Sequence, residues 1–269
     1  MDVTNEQVKA ALARNPSPTV RRLFHYSNRI DFESLVRQIC AQIFYFSNPS
    51  GFNDASDFRP HITRNHDGET VNVPVFTSMN EGGVKKTELP LVEKADPTFT
   101  TDFIRCKTLL RSDAAKSYRV LCLTESDALP LMWAHYGGRS CGVAYGFDVE
   151  TLEKIRVPHK VEYVNSLSLT ESMAPAFTWE APLEWRTKEK VWSCEREWRL
   201  FTQNSNNSEA ANYVSLQGSL RSITLGLSTE RNGDVHDRVV AIISQLAPEI
   251  ELFQVERHAG VWTTTRLAE

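Results

Sequence analysis

Long apolar runs are missing from this 269-residue chain. None approaches the roughly 20 residues that a helix needs to cross a bilayer. The segment from Met1 to Asn15 is polar and lacks the apolar stretch of a secretory signal. No membrane partner is expected. Cysteine is sparse: the five residues Cys40, Cys106, Cys122, Cys141 and Cys194 are odd in number, far apart, and form no CxxC pair. That excludes a cysteine zinc site and a disulfide framework, and it fits a reducing, cytoplasmic setting. There is no basic excess either. Lys and Arg total 30 against 34 Asp and Glu, a net charge of -4, so no basic coat surrounds the protein. A local basic groove stays compatible with that sum. Neither GxGxxG nor GxxxxGK[ST] occurs, and HExxH and GxSxG are absent. The seven histidines are scattered, with His61 and His66 close but without a third ligand beside them. No metal is expected.

What is present is ordinary globular composition, 41% hydrophobic and 24% charged. Thr4 and Gln7 form a capping-box pattern ahead of Val8, Ala11 and Leu12, which predicts a first short helix. Leu23 to Tyr26 reads as a strand. Phe32, Leu35, Val36, Ile39, Cys40 and Ile43 then fall on one helical face, with Asn28 or Asp31 as the cap. Ile43 to Phe46 reads as a buried strand. From Arg59 to Pro97 the pattern dissolves into turn residues. Strands return at 119–123, 142–147, 159–164, 198–202, 213–216, 222–225 and 250–255, with short helices at 129–135 and 149–155. Leu183 to Cys194 reads as a helix with Val191 and Trp192 inside and its Lys and Glu outside. Asp234 to Leu246 is an amphipathic helix burying Val235, Val239, Ile242, Ile243 and Leu246. Runs of strands without βαβ alternation predict an α+β fold around a mainly antiparallel sheet. The chain reads as a single domain, 1–269, with a loop-rich insertion at about 59–97.

Three segments concentrate chemistry. Phe24-His25-Tyr26-Ser27 ends a strand with a polar aromatic pair. Met132-Trp133-Ala134-His135-Tyr136 crowds Trp, His and Tyr ahead of Gly137-Gly138, a set suited to stacking a flat ring. Trp192 to Phe201 carries Glu195 and Glu197 at the entry to a strand. Strand alternation would put both carboxylates on one face, with Arg196 and Trp198 on the other. Two adjacent carboxylates repel unless a cation, ligand or hydrogen bond offsets them. Singly, each segment is better explained by packing or surface charge.

Taken together, the HYS of His25–Ser27, the FYFSNPSGFND of Phe44–Asp54, the MWAHY of Met132–Tyr136, the GVAYGFD of Gly142–Asp148 and the EREWRL of Glu195–Leu200 carry a pattern. It closely resembles a widespread bacterial family known only as a domain of unknown function. The likeness runs from about Leu23 to Leu227 and leaves out the insertion. More remotely, the layout is similar to ADP-ribosyltransferases of the His-Tyr-Glu type. That resemblance implies an ADP-ribosyltransferase-like fold, a split β-sheet core with flanking helices. It implies NAD as the substrate and no metal. Glu197, the second Glu of an ExE leading into a strand, matches the catalytic position, with Glu195 facing the acceptor. His25, Tyr26, Tyr45, Trp133, His135 and Tyr136 match the NAD-holding set, and Tyr45 competes with Tyr136 as the ring that packs nicotinamide. The family's Ser-Thr-Ser signature is missing, with Thr124-Glu125-Ser126 in its place. A toxin or phage-defence effector is implied, modifying a macromolecular acceptor (RNA, DNA or protein) and partnered by an antitoxin protein. Two other classes stay open. One is a non-catalytic nucleic-acid or nucleotide binding module built on Trp133, Tyr136, Lys188, Lys190, Arg196 and Arg199. The other is a metal-dependent hydrolase using the two glutamates.

Overall fold

The computed structural model describes residues 20–54, 57, 61–66, 69–73, 118–165, 168–170, 183–204, 208–227 and 233–267. The helix expected near Thr4–Leu12 and most of the insertion lie outside these residues. In chain order the elements are β1 (Arg22–Ser27), α1 (Phe32–Ile39), β2 (Ile43–Tyr45), β3 (His61–His66), β4 (Glu69–Val73), β5 (Tyr118–Thr124), α2 (Pro130–His135), β6 (Val143–Asp148), α3 (Val149–Ile155), β7 (His159–Lys160), β8 (Glu162–Val164), β9 (Ser168–Thr170), β10 (Thr187–Glu189), β11 (Glu197–Gln203), β12 (Tyr213–Ser215), β13 (Leu220–Leu225), α4 (Gly233–Leu246), β14 (Glu251–His258) and β15 (Val261–Arg266). No helix among the described residues is long and apolar enough to cross a membrane.

The fold is α+β, as the absence of βαβ alternation predicts. Its centre is an eight-stranded sheet in the order β15-β14-β13-β6-β1-β5-β11-β7. Every neighbouring pair runs antiparallel except β13 and β14, which are parallel and flank α4 in the chain. Smaller sheets pair β2 with β12, β8 with β10, and β3 with β4 and β9. Within the loop-rich insertion, β3 and β4 form a hairpin.

Alternation sorts the central strands into two faces. Leu23, Leu121, Leu123, Tyr145, Phe147, Trp198, Leu200, Ile223 and Leu225 share one face. Leu35 and Ile39 of α1, Leu152 of α3, and Val235, Val239, Ile242 and Ile243 of α4 close over it, with Phe44 between. Asp31 caps α1 by accepting from the Ser34 amide at 2.8 Å. The helix ends sooner than its apolar pattern suggests. Cys40 is the cap, Gln42 turns the chain at φ 49°, and Ile43 enters β2 instead of a third helical turn. Leu246 is another departure: at the last position of α4 it is 61% exposed. On the other face Tyr26, Ala144 and Val255 meet Met132 and Trp133 of α2. Where the chain leaves α2, Gly138 takes φ +58° and Gly137 lies so close to the Trp133 ring that a Cβ there would collide with it.

The largest correction concerns 183–194. The segment is not a helix. It forms a short 3-10 turn at Leu183–Arg186, the strand β10, and a second 3-10 stretch at Lys190–Glu195. Parallel pairing of Thr187–Glu189 with Glu162–Val164 holds it extended. Long-range pairing overrides the local helix propensity of its Lys and Glu residues.

Candidate active site

β11 opens at Glu197, and the residue before it is strained. Arg196 has φ 47°, the left-handed region that costs a non-glycine residue about 1–3 kcal/mol. Glu195 therefore belongs to the preceding 3-10 stretch and not to the strand, so simple alternation does not govern the pair. The bend nevertheless turns both carboxylates toward one point. The backbone on either side of it is tied down. Thr124 donates its hydroxyl to the Glu195 carbonyl at 2.6 Å, and the Glu197 amide donates to the Tyr163 hydroxyl at 2.8 Å.

The point of convergence is Lys188. Its Nζ lies 2.6 Å from Glu195 Oε2, 3.2 Å from Glu197 Oε2 and 3.7 Å from Asp57 Oδ2. Arg199, fully buried, sits beside it and grips two carboxylates through both edges of its guanidinium. Nε and Nη2 reach Glu197 at 2.7 and 3.0 Å, and Nη1 and Nη2 reach Asp57 at 2.9 and 2.6 Å. A further bond runs from Nη1 to the Trp185 carbonyl at 2.6 Å. On the remaining oxygen of Glu195, Oε1, the Tyr136 hydroxyl donates at 2.9 Å across 59 residues of sequence. The Trp192 ring lies 5.0 Å under the Lys188 ammonium.

Three carboxylates thus face two cations in a site closed to water, and the charges shape one another. Burial works against ionisation of Glu197, but Arg199 and Lys188 overcome it and hold its carboxyl down at about 2. At Asp57 burial wins over Arg199, and its carboxyl is raised. Lys188 would be pushed down by burial, yet Glu197, Glu195 and Asp57 raise it. Burial and Glu195 raise Tyr136, so its hydroxyl keeps the proton that it donates. Burial and Glu197 likewise raise Cys122, which stays a thiol.

Of the residues expected from sequence, the structure brings together Glu195, Glu197 and Tyr136. The others sit elsewhere. His25 leaves β1 on the opposite face: Phe24, Thr124 and Glu197 form one register row, and His25 follows Phe24. Its ring meets Phe44 edge-on at 6.3 Å, and that of Tyr145, its partner on β6, meets Phe44 edge-on at 5.3 Å. Its Nδ1 bonds the Cys122 carbonyl at 3.0 Å, and burial lowers its pKa to about 4. Tyr26 and Trp133 are a buried edge-to-face pair, centroids 4.8 Å apart, and so a plug between helix and sheet, not an open platform. Tyr26 donates to the Ser126 carbonyl, and Trp133 to that of Asp127. His135 is exposed and tilted against Tyr136 at 6.2 Å. Tyr45 meets Tyr213 at 5.2 Å and lies under the Arg29 guanidinium at 4.5 Å, on the small β2–β12 sheet. The basic set proposed for a nucleic-acid surface fares worse, since Lys188, Arg199 and Trp133 are all buried.

Sequence reasoning missed Asp57 and Tyr163, and it placed Lys188 on an exposed basic face. Lys188 was assigned to the outside of a helix, and it is 4% exposed. A lysine flanked by two apolar-edged turns offers no local sign of burial. Asp57 follows the Phe52-Asn53-Asp54 turn, whose Asp54 carbonyl accepts from the Asp57 amide at 3.2 Å. No family model, curated protein or solved structure matches this chain.

Proposed function

We propose that the protein is an NAD-dependent ADP-ribosyltransferase whose reaction centre is the Tyr136, Glu195 and Glu197 cluster. The observation that carries this is the direct hydrogen bond from Tyr136 to Glu195, beside Glu197 at the mouth of β11. The remote resemblance calls for an aromatic on the strand-helix unit and a Glu opening a later strand. Tyr136 caps the helix between β5 and β6, and Glu197 is the first residue of β11. β1 joins β5 through one register pair, Phe24 with Thr124, while β5 and β11 pair along their whole length. His25 takes no part in this proposal. Its neutral ring serves the core.

The chemistry suits the residues. The bond between ribose C1′ and the nicotinamide ring nitrogen breaks, and its electron pair neutralises the pyridinium, which leaves as nicotinamide. Positive charge builds on the ribosyl ring, the kind of transition state that a nearby carboxylate stabilises. A lone pair of the acceptor then bonds C1′, and the acceptor's proton passes to Glu195 or to solvent. The carboxylates outnumber the buried cations, so the site favours added positive charge. The full chain incubated with NAD is expected to release nicotinamide and, with extracts of nucleic acid or protein, to transfer labelled ADP-ribose. Failure to release nicotinamide under any acceptor condition, including water alone, would sink this function.

A further inference from the structure

We infer that the two glutamates divide their labour against the order suggested by the motif: Glu195 is the carboxylate that touches substrate, and Glu197 is a positioning residue acting through Lys188 and Arg199. This rests on the transferase proposal above.

The hydrogen bonds separate the pair. Both oxygens of Glu197 are already committed to fixed cations. Oε1 takes Arg199 Nε at 2.7 Å, and Oε2 takes Arg199 Nη2 at 3.0 Å and Lys188 Nζ at 3.2 Å. Arg199 cannot release it cheaply, because the same guanidinium holds Asp57 and the Trp185 carbonyl. Freeing Glu197 would leave one edge of a fully buried guanidinium without its acceptor. Glu195 is held differently. One oxygen takes Lys188 at 2.6 Å, and among the described residues the other takes the Tyr136 hydroxyl alone, at 2.9 Å. Tyr136 is half-buried and closes a helix end, so its hydroxyl can be exchanged for a substrate hydroxyl. That exchange replaces one neutral donor by another and leaves no charge unpaired.

The strained backbone supports the same division. Arg196 in the left-handed region takes Glu195 out of the strand, while Glu197 stays within the ladder opposite Thr124. A residue outside the ladder can be offered to a ligand, whereas one within it is fixed. Lys188 then couples them: it anchors one oxygen of each carboxylate and sets the distance between them. In this arrangement Glu195 Oε1 faces the ribosyl ring as C1′ parts from nicotinamide. Glu197 keeps Lys188 in place and never receives the acceptor's proton.

The test is nicotinamide release from NAD by the full chain and by Glu195→Gln, Glu197→Gln, Tyr136→Phe, Lys188→Met and Lys188→Arg, each with a melting temperature and a pH–rate profile. Glu195→Gln is expected to lose about 100- to 1,000-fold in kcat, with a smaller fall in melting temperature than Glu197→Gln, because Lys188 keeps Glu197 as a counter-ion. Glu197→Gln is expected to lose melting temperature first and activity less. Lys188→Met should move the acid limb of the profile to higher pH, because the carboxylates lose a cation that favours their charged form, and Lys188→Arg should restore it in part. Tyr136→Phe should leave the fold intact and raise KM more than it lowers kcat. If Glu195→Gln does not fold, Glu195→Asp, which keeps the charge and withdraws it by one methylene, should show the same kcat loss. A larger kcat loss in a stable Glu197→Gln than in Glu195→Gln overturns the division and leaves the transferase function standing. No turnover by the unmodified chain overturns both.

Discussion

The two faces of strands β5 and β11 share a backbone and differ in almost everything else. On one face Leu121, Leu123, Trp198 and Leu200 meet α1, α4 and Phe44 in a largely apolar layer. On the other, one residue along in each case, Cys122, Thr124, Glu197 and Arg199 meet Lys188, Asp57 and Glu195. The apolar face is stabilised by burial, which tolerates inexact partners. The charged face has no such tolerance. Each buried ion needs its counter-ion, and removing one strands another. A protein that needed only stability would have filled both faces with apolar side chains. Five ionisable groups in a dry layer are the charge arrangement on which the proposed function rests.

The comparison can be broken most forcefully at Arg199. Arg199→Met leaves Glu197 and Asp57 buried without their shared cation, and unfolding in urea should show a loss of about 3–5 kcal/mol. A loss below about 1 kcal/mol would mean that water reaches the network. On the apolar face, Leu123→Ala should cost about 3 kcal/mol through lost burial and a cavity, read by the same unfolding curve. It should leave the pH dependence of stability unchanged, which Arg199→Met should not.

The next effect belongs to the polar group that intrudes on the apolar face. His25 titrates near 6.5 when unfolded and at about 4 in the fold, chiefly through burial. Between those values the unfolded chain binds more protons. The stability that His25 supplies is complete above pH 6.5 and is lost as pH falls toward 4, on the order of 3 kcal/mol. His159 is lowered to about 4 as well and adds to the same slope. His25→Asn keeps a donor for the Cys122 carbonyl, so it should flatten the slope without unfolding the protein. A slope unchanged in that variant would assign the whole effect to His159.

The smallest effect sharpens the picture of 183–194. Val191 is 75% exposed, so Val191→Ser should shift stability by less than about 0.5 kcal/mol. Were the segment the helix that its composition suggests, with Val191 inside, the same change would cost several times more.

Much of the scaffold was legible along the chain. The strand at Leu23–Tyr26, α3 at Val149–Ile155, the Asp31 cap and the apolar stripe of α4 each follow from patterns within about a dozen residues. The candidate site was legible in part. The Glu195 and Glu197 pair stood out as two like charges needing an offset, and Tyr136 as a ring beside a glycine turn. What offsets the pair was not legible. Lys188 is buried because residues 187–189 pair with 162–164, and Asp57 because its turn brings it against Arg199. Neither pairing leaves a trace in the neighbouring sequence.

The sequence by itself determined that two carboxylates would lie within reach of each other, because only one residue separates them. It also determined that an α+β sheet would carry them. Tertiary structure alone decided what they face. The left-handed turn at Arg196, the parallel pairing of β10 and the face chosen by the β5–β11 register brought Lys188, Arg199 and Tyr136 to them, and sent His25 to the other side. The physical reason is the range of the forces involved. Hydrophobic periodicity acts on near neighbours and is written locally, whereas a buried charge is tolerable only beside a partner that the whole fold must deliver.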